Sequence, residues 1–140
     1  MEFSAESDIA RAPDEVFDRM ADARNEPSWN TQVSKSDLVS GAEVGPGAKF
    51  ITVNRGKPYD ATITTYDRPG RVVFEVTGKP LDITASFTIT PRGEGAAHVE
   101  SRFDFRPKGS MKLMFPLMQS AIRKDIAKQS ESFKRFCEAG

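Results

Sequence analysis

The sequence predicts an α+β domain in which a curved antiparallel sheet of about seven strands wraps around a long C-terminal helix, with two short helices after the first strand. Three observations carry that prediction. The N-terminus alternates with period two, closely spaced turn formers divide residues 33–106 into six further strands, and apolar residues recur at three- and four-residue steps from 110 to 138.

Phe3, Ala5, Ser7 and Ile9 alternate with Glu2, Ser4, Glu6 and Asp8, which gives the first strand one dry and one wet face. Ala12-Pro13-Asp14-Glu15 then opens a helix: proline costs nothing in a first turn, and two acids suit the positive end of the dipole. Val16, Phe17 and Met20 supply its apolar face. The helix stops before Asn25-Glu26-Pro27, because a residue preceding proline is pushed out of the α region, and residues 28–31 form one more brief turn.

Gly45-Pro46-Gly47, Arg55-Gly56, Pro69-Gly70, Gly78-Lys79-Pro80 and Gly93-Glu94-Gly95 then bound strands near 33–40, 49–54, 59–66, 71–77, 81–90 and 97–106. Connections this short require hairpins, since a parallel pair needs a crossover of about a dozen residues or more. From Ser110, a candidate N-cap, one amphipathic helix presents Met114, Met118, Ala121, Ile122, Ile126, Phe133, Phe136 and Cys137 on its apolar side. Pro116 should kink its first turns, leaving a straight part from Leu117 to Cys137 about 31 Å long at 1.5 Å per residue. Nine- or ten-residue strands have nearly the same length, so the helix can lie along the sheet and fill its concave face.

Composition excludes several classes. A chain of 140 residues with 10 Phe can bury roughly 68–70% of its unfolded surface as one domain, residues 1–140, without disulfides or metals. Twenty basic against twenty acidic residues leave no positive field for nucleic acid. One Cys and one distant His cannot form a zinc ligand set, so neither metal nor cofactor is expected. Acids at Glu2, Glu6 and Asp8 do not suit a signal peptide, and no stretch approaches a membrane span, so the expected location is the cytoplasm.

Particular stretches also resemble a known family. Ala12-Pro13-Asp14-Glu15-Val16-Phe17 followed by Pro27-Ser28-Trp29-Asn30 is similar to the start of the polyketide cyclase/dehydrase branch of the START-like (SRPBCC) superfamily. Gly45-Pro46-Gly47-Ala48-Lys49-Phe50, Asp67-Arg68-Pro69-Gly70-Arg71-Val72-Val73-Phe74 and Phe87-Thr88-Ile89-Thr90-Pro91 fit the same branch, so the resemblance spans essentially the whole chain. It implies a helix-grip (START/Bet v 1-like) fold: an incomplete barrel closed by the long helix, with a cavity for a mostly apolar small molecule. Such relatives include lipid and hormone carriers, cyclases and aromatases of polyketide synthesis, and proteins that act on other proteins. Fold alone does not choose among them.

Within that frame, His98, Glu100, Arg102, Asp104 and Arg106 contain the only imidazole, but they alternate with Val99, Ser101, Phe103 and Phe105. If the apolar face meets the helix, this charged row points to water. The same alternation builds an inner wall from Tyr59, Ala61, Ile63 and Thr65, then Val72, Phe74 and Val76, then Leu81, Ile83, Ala85, Phe87 and Ile89, with almost no charge. Hydroxyls of Ser7, Tyr59, Thr65 and Ser101 can orient a ligand but have no base to activate them. Asp60 and Glu75 fall outside.

The expected function is binding of a small hydrophobic or aromatic molecule between sheet and helix, by a monomer or weak homodimer. Phe50, Tyr59, Phe74, Phe87, Ser101 and Phe103 are its expected wall, and Trp29, Met114, Phe115, Met118 and Ile122 its lid side. Met residues suit an adaptable chamber, and a Trp suits an edge that is half dry and half wet. The alternative is a polyketide cyclase or dehydratase, which would place a carboxylate, His or Arg inside the chamber; Asp60, Glu75 and Arg102 are the residues to watch. A protein-binding module would instead expose a large apolar patch.

Overall fold

In the computed structural model, which describes residues 1–40 and 43–140, the chain begins with strand β1 (Glu2–Ile9) at one edge of a sheet. It then crosses an open end of that sheet through helix α1 (Pro13–Ala21), a 3-10 turn (Ala23–Asn25) and helix α2 (Glu26–Trp29). Strand β2 (Val33–Ser40) starts the opposite edge. A meander of β3 (Lys49–Asn54), β4 (Lys57–Asp67), β5 (Arg71–Thr77), β6 (Leu81–Pro91) and β7 (Ala97–Pro107) leads back to β1. The order β1-β7-β6-β5-β4-β3-β2 is antiparallel throughout, as short hairpin connections require. Helix α3 (Met111–Ala139) closes the structure. No helix among the described residues is long and apolar enough to cross a membrane.

Local chemistry accounts for most boundaries. Arg55 and Gly56, at φ of 52° and 77°, make a two-residue turn between β3 and β4, and both central positions of this turn need positive φ. Arg55 tolerates that conformation because it is tied at two points to Gln32: its backbone N–H donates to the Gln32 carbonyl at 2.9 Å, and its Nε to Gln32 Oε1 at 2.5 Å. Gly78 is needed for another reason, since a Cβ there would lie 2.3 Å from the Tyr59 ring.

Three local expectations need correction. The second helix starts at Glu26 rather than at 28, because Pro27 fits a helical first turn and begins the segment it was expected to interrupt. A register shift between Ile63 and Thr65 puts one extra residue into β4; inward facing passes from Thr65 to Tyr66, whose ring meets Phe17 edge-on at 5.1 Å. Ser110 precedes α3 but forms no side-chain cap; the first turn closes instead by i to i−3 bonds from Met111, Lys112 and Leu113. Pro116 lies inside α3, within the single helix expected from residue 110 onward.

Packing divides the space between sheet and helices into two parts. Around α1, the side chains of Ile9, Val16, Phe17, Ile63, Val72 and Cys137 form a dense core, each at most 1% exposed. Burial pushes the Cys137 thiol up to about 12, so it is a core hydrophobe and not a nucleophile. Arg68 locks α1 to the β4–β5 turn through two hydrogen bonds to Asp18, at 2.7 and 2.8 Å. Toward α2 and the first half of α3 the packing opens.

Candidate ligand-binding cavity

The opening is a cavity of about 440 Å³ between the concave face of the sheet, α2 and α3, within the size range of small-molecule sites. Period-two alternation brings Ala5, Ser7 and Ile9 from β1, Phe74 and Val76 from β5, Ile83, Ala85 and Phe87 from β6, and Val99, Ser101, Phe103 and Phe105 from β7 onto its wall. Helical spacing adds Met111, Phe115, Met118, Ile122 and Ile126. The aromatic rings interlock in edge-on contacts, with Phe74 6.3 Å from Phe87 and Phe87 5.7 Å from Phe103 between centroids. Trp29 closes the α2 side against Phe133, 5.2 Å away.

Of the eleven residues expected from sequence, Trp29, Tyr59, Phe74, Phe87, Ser101, Phe103, Phe115, Met118 and Ile122 lie on this wall. Phe50 and Met114 do not. Phe50 is 1% exposed and packs into the dense core against Phe74, so β3 reaches the wall through Thr52 and Asn54 instead. Met114 is 55% exposed: the apolar stripe of α3 runs through Phe115, Met118 and Ile122, and Met114 lies off it toward solvent with Leu113 and Leu117.

The charged row of β7 is paired outside the cavity. His98 shares hydrogens with Asp8 at 2.7 Å and Glu6 at 3.1 Å, Arg102 donates to Glu100 at 2.7 Å, and Arg106 bridges Asp104 and Glu75. Asp60, Glu75 and Arg102 are all absent from the wall.

The expectation of a nearly uncharged chamber is corrected at one end. Asp22, Glu26, Asn30, Gln32, Arg55, Lys57, Asp125 and Gln129 all reach the wall there. Asp125 Oδ1 accepts from Gln32 Nε2 at 2.6 Å and from Gln129 Nε2 at 3.3 Å, while Arg55 holds the other end of Gln32. Asn30 Oδ1 accepts from the Gln32 backbone N–H at 3.1 Å, and its Nδ2 donates to Glu26 Oε2 at 3.4 Å. Burial pushes the Glu26 carboxyl up to about 7, opposed only by that Asn30 hydrogen bond. Asp22, by contrast, is held by Arg24 through hydrogen bonds of 2.8 and 2.9 Å.

Glu26 was read from sequence as punctuation before Pro27, and nothing local marks it as inward. Asp125 and Gln129 did carry a signal. They stand between Ile122, Ile126 and Phe133, in phase with the apolar stripe, and a polar residue on a dry face needs a reason to be there. Among the described residues no cluster could hold a metal ion.

Solved structures share this fold. A START superfamily protein from Mycobacterium smegmatis superposes with a TM-score of 0.74 at 13% identity, covering 99% of this chain and 97% of that one. A hypothetical protein from Helicobacter pylori gives 0.81 at 9% identity over 98% and 88%. Norcoclaurine synthase from Thalictrum flavum, solved with dopamine and hydroxybenzaldehyde, gives 0.67 at 12% identity over 97% and 85%. At these identities the likeness establishes the helix-grip fold. No curated protein matches the sequence at a significant level. The family model described as polyketide cyclase / dehydrase and lipid transport matches residues 1–138, and the chain belongs to that family.

Proposed function

We propose that the protein binds a small hydrophobic or aromatic molecule in the cavity between sheet and α3, with Trp29, Tyr59, Phe74, Phe87, Ser101, Phe103, Phe115, Met118 and Ile122 as contact residues. The observation that carries this reading is the cavity itself, about 440 Å³ walled mainly by aromatic and aliphatic side chains. Apolar burial there supplies affinity, and the few polar groups set orientation. Thermal unfolding against fatty acids, sterols, flavonoids and aromatic polyketides, with native mass spectrometry of the purified protein, tests it. A ligand at 100 times its Kd adds about 2.7 kcal/mol to the folded state. No shift with any class, and no copurified molecule, overturns the reading.

A second reading has one specific observation in its favour. A carboxyl on the cavity wall whose proton exchanges near pH 7 has the properties of a general acid or base. Glu26 gives a polyketide cyclase or dehydratase the proton-transfer group that the hydroxyls alone did not supply. The norcoclaurine synthase likeness supports the capacity of this fold to carry an enzyme. Turnover of a poly-keto or aromatic intermediate that is lost in Glu26→Gln while ligand binding persists would identify the catalyst. Equal turnover in both proteins would remove Glu26 from the chemistry.

A further inference from the structure

Glu26 reaches the cavity with a carboxyl that the protein does little to satisfy. Its hydrogen bond from Asn30 Nδ2 is 3.4 Å long, at the weak end for an N–H donor. On α3, Gln129 repeats the shortage. This residue is 8% exposed and lines the cavity, and its amide is oriented by Asp125, whose Oδ1 accepts from Nε2 at 3.3 Å. Nε2 therefore faces Asp125, and Oε1 is left buried without a donor. Ser7 Oγ, on a third wall residue, is also buried and unpartnered. Buried acceptors without donors are rare in folded proteins because each costs a large part of its desolvation.

We infer that the ligand is an apolar body carrying one hydrogen-bond donor, an O–H or N–H, and that this donor seats on the Glu26 carboxylate while the body lies along Phe74, Phe87 and Phe103. The inference rests on the cavity being the binding site, as proposed above, and adds the polarity of the ligand's end. Bonding to a carboxylate is charge-assisted and stronger than between neutral groups. A ligand of the same shape without the donor would leave Glu26 with only its long Asn30 hydrogen bond.

Calorimetric titration with 2-naphthol and 2-methoxynaphthalene at pH 8 tests this, since the two share a ring system and differ in the donor. The naphthol is expected to bind about tenfold or more tightly. In Glu26→Met that advantage disappears while the methoxy compound still binds. In Glu26→Gln, which keeps a neutral acceptor, a smaller advantage remains. Equal affinities in the wild-type protein overturn the inference and leave the cavity reading standing. An advantage unchanged in both variants overturns it too, by assigning the donor to another residue. If neither compound binds, the cavity reading falls and takes this inference with it.

Discussion

The outer face of β7 and the α2 end of the cavity contain the same kinds of side chain in opposite circumstances. Outside, His98 lies between Asp8 and Glu6, and Arg106 between Asp104 and Glu75, every group with an opposite charge and access to water. Hydrogen bonds to Asp8 and Glu6 raise the His98 pKa, and the bond to His98 lowers that of Asp8. Inside, Glu26 has no cation offsetting its burial, and its pKa moves the other way for a carboxylate. Charge at a protein surface organises itself cheaply. A charge against an apolar cavity is costly, and such groups concentrate at functional sites.

The largest consequence of this contrast is a stability gain on removing Glu26's charge. Its folded pKa near 7 exceeds the ordinary carboxyl value of 4.5, so the folded state binds more protons than the unfolded one between those limits. Stability contributed by this group therefore falls as pH rises from about 4.5 to 7 and is flat above. Urea unfolding of Glu26→Gln should show a gain on the order of 3 kcal/mol at pH 8 and almost none at pH 4.5. A gain independent of pH would show that the carboxyl is not held out of water.

Next in size is Asp125→Ala, which strips the acceptor from two amides at once, those of Gln32 and Gln129. The expected loss is about 1–3 kcal/mol, unchanged by added salt because both donors are neutral. On the outer face, Arg106→Ala should cost less than about 1 kcal/mol, since its partners are more than a third exposed, and the cost should shrink in 1 M salt. A loss from Arg106→Ala larger than from Asp125→Ala would break the comparison.

The smallest effect is a titration. By NMR the His98 imidazole should titrate above 6.5, and Asp8→Asn should bring the midpoint down. The stability this pairing contributes is full below pH 6.5 and is lost as pH rises through the raised midpoint. A midpoint unmoved by Asp8→Asn would show that the 2.7 Å contact does not persist in solution.

How far the site could be read in advance depended on how local its signal was. Phe74, Phe87, Ser101 and Phe103 were legible because alternation along one strand fixes facing without reference to anything else. Met114 misled because a long amphipathic stripe has a width, and only packing shows where its edge lies. Tyr66 displaced Thr65 through a single extra residue in β4, which no periodicity announces. Asp125 and Gln129 stood in phase with Ile122 and Ile126 and could have been recognised as polar residues on a dry face.

Element order and the antiparallel meander followed from sequence alone, since periodicity and turn formers are properties of short segments. Tertiary structure alone decided that Gln32 and Asp125, 93 positions apart, would meet on the same cavity wall as Glu26. The cost of a charge depends on everything within a few ångströms of it, and those neighbours come from α2, β3, β4 and α3 only once the sheet has curled around the helix.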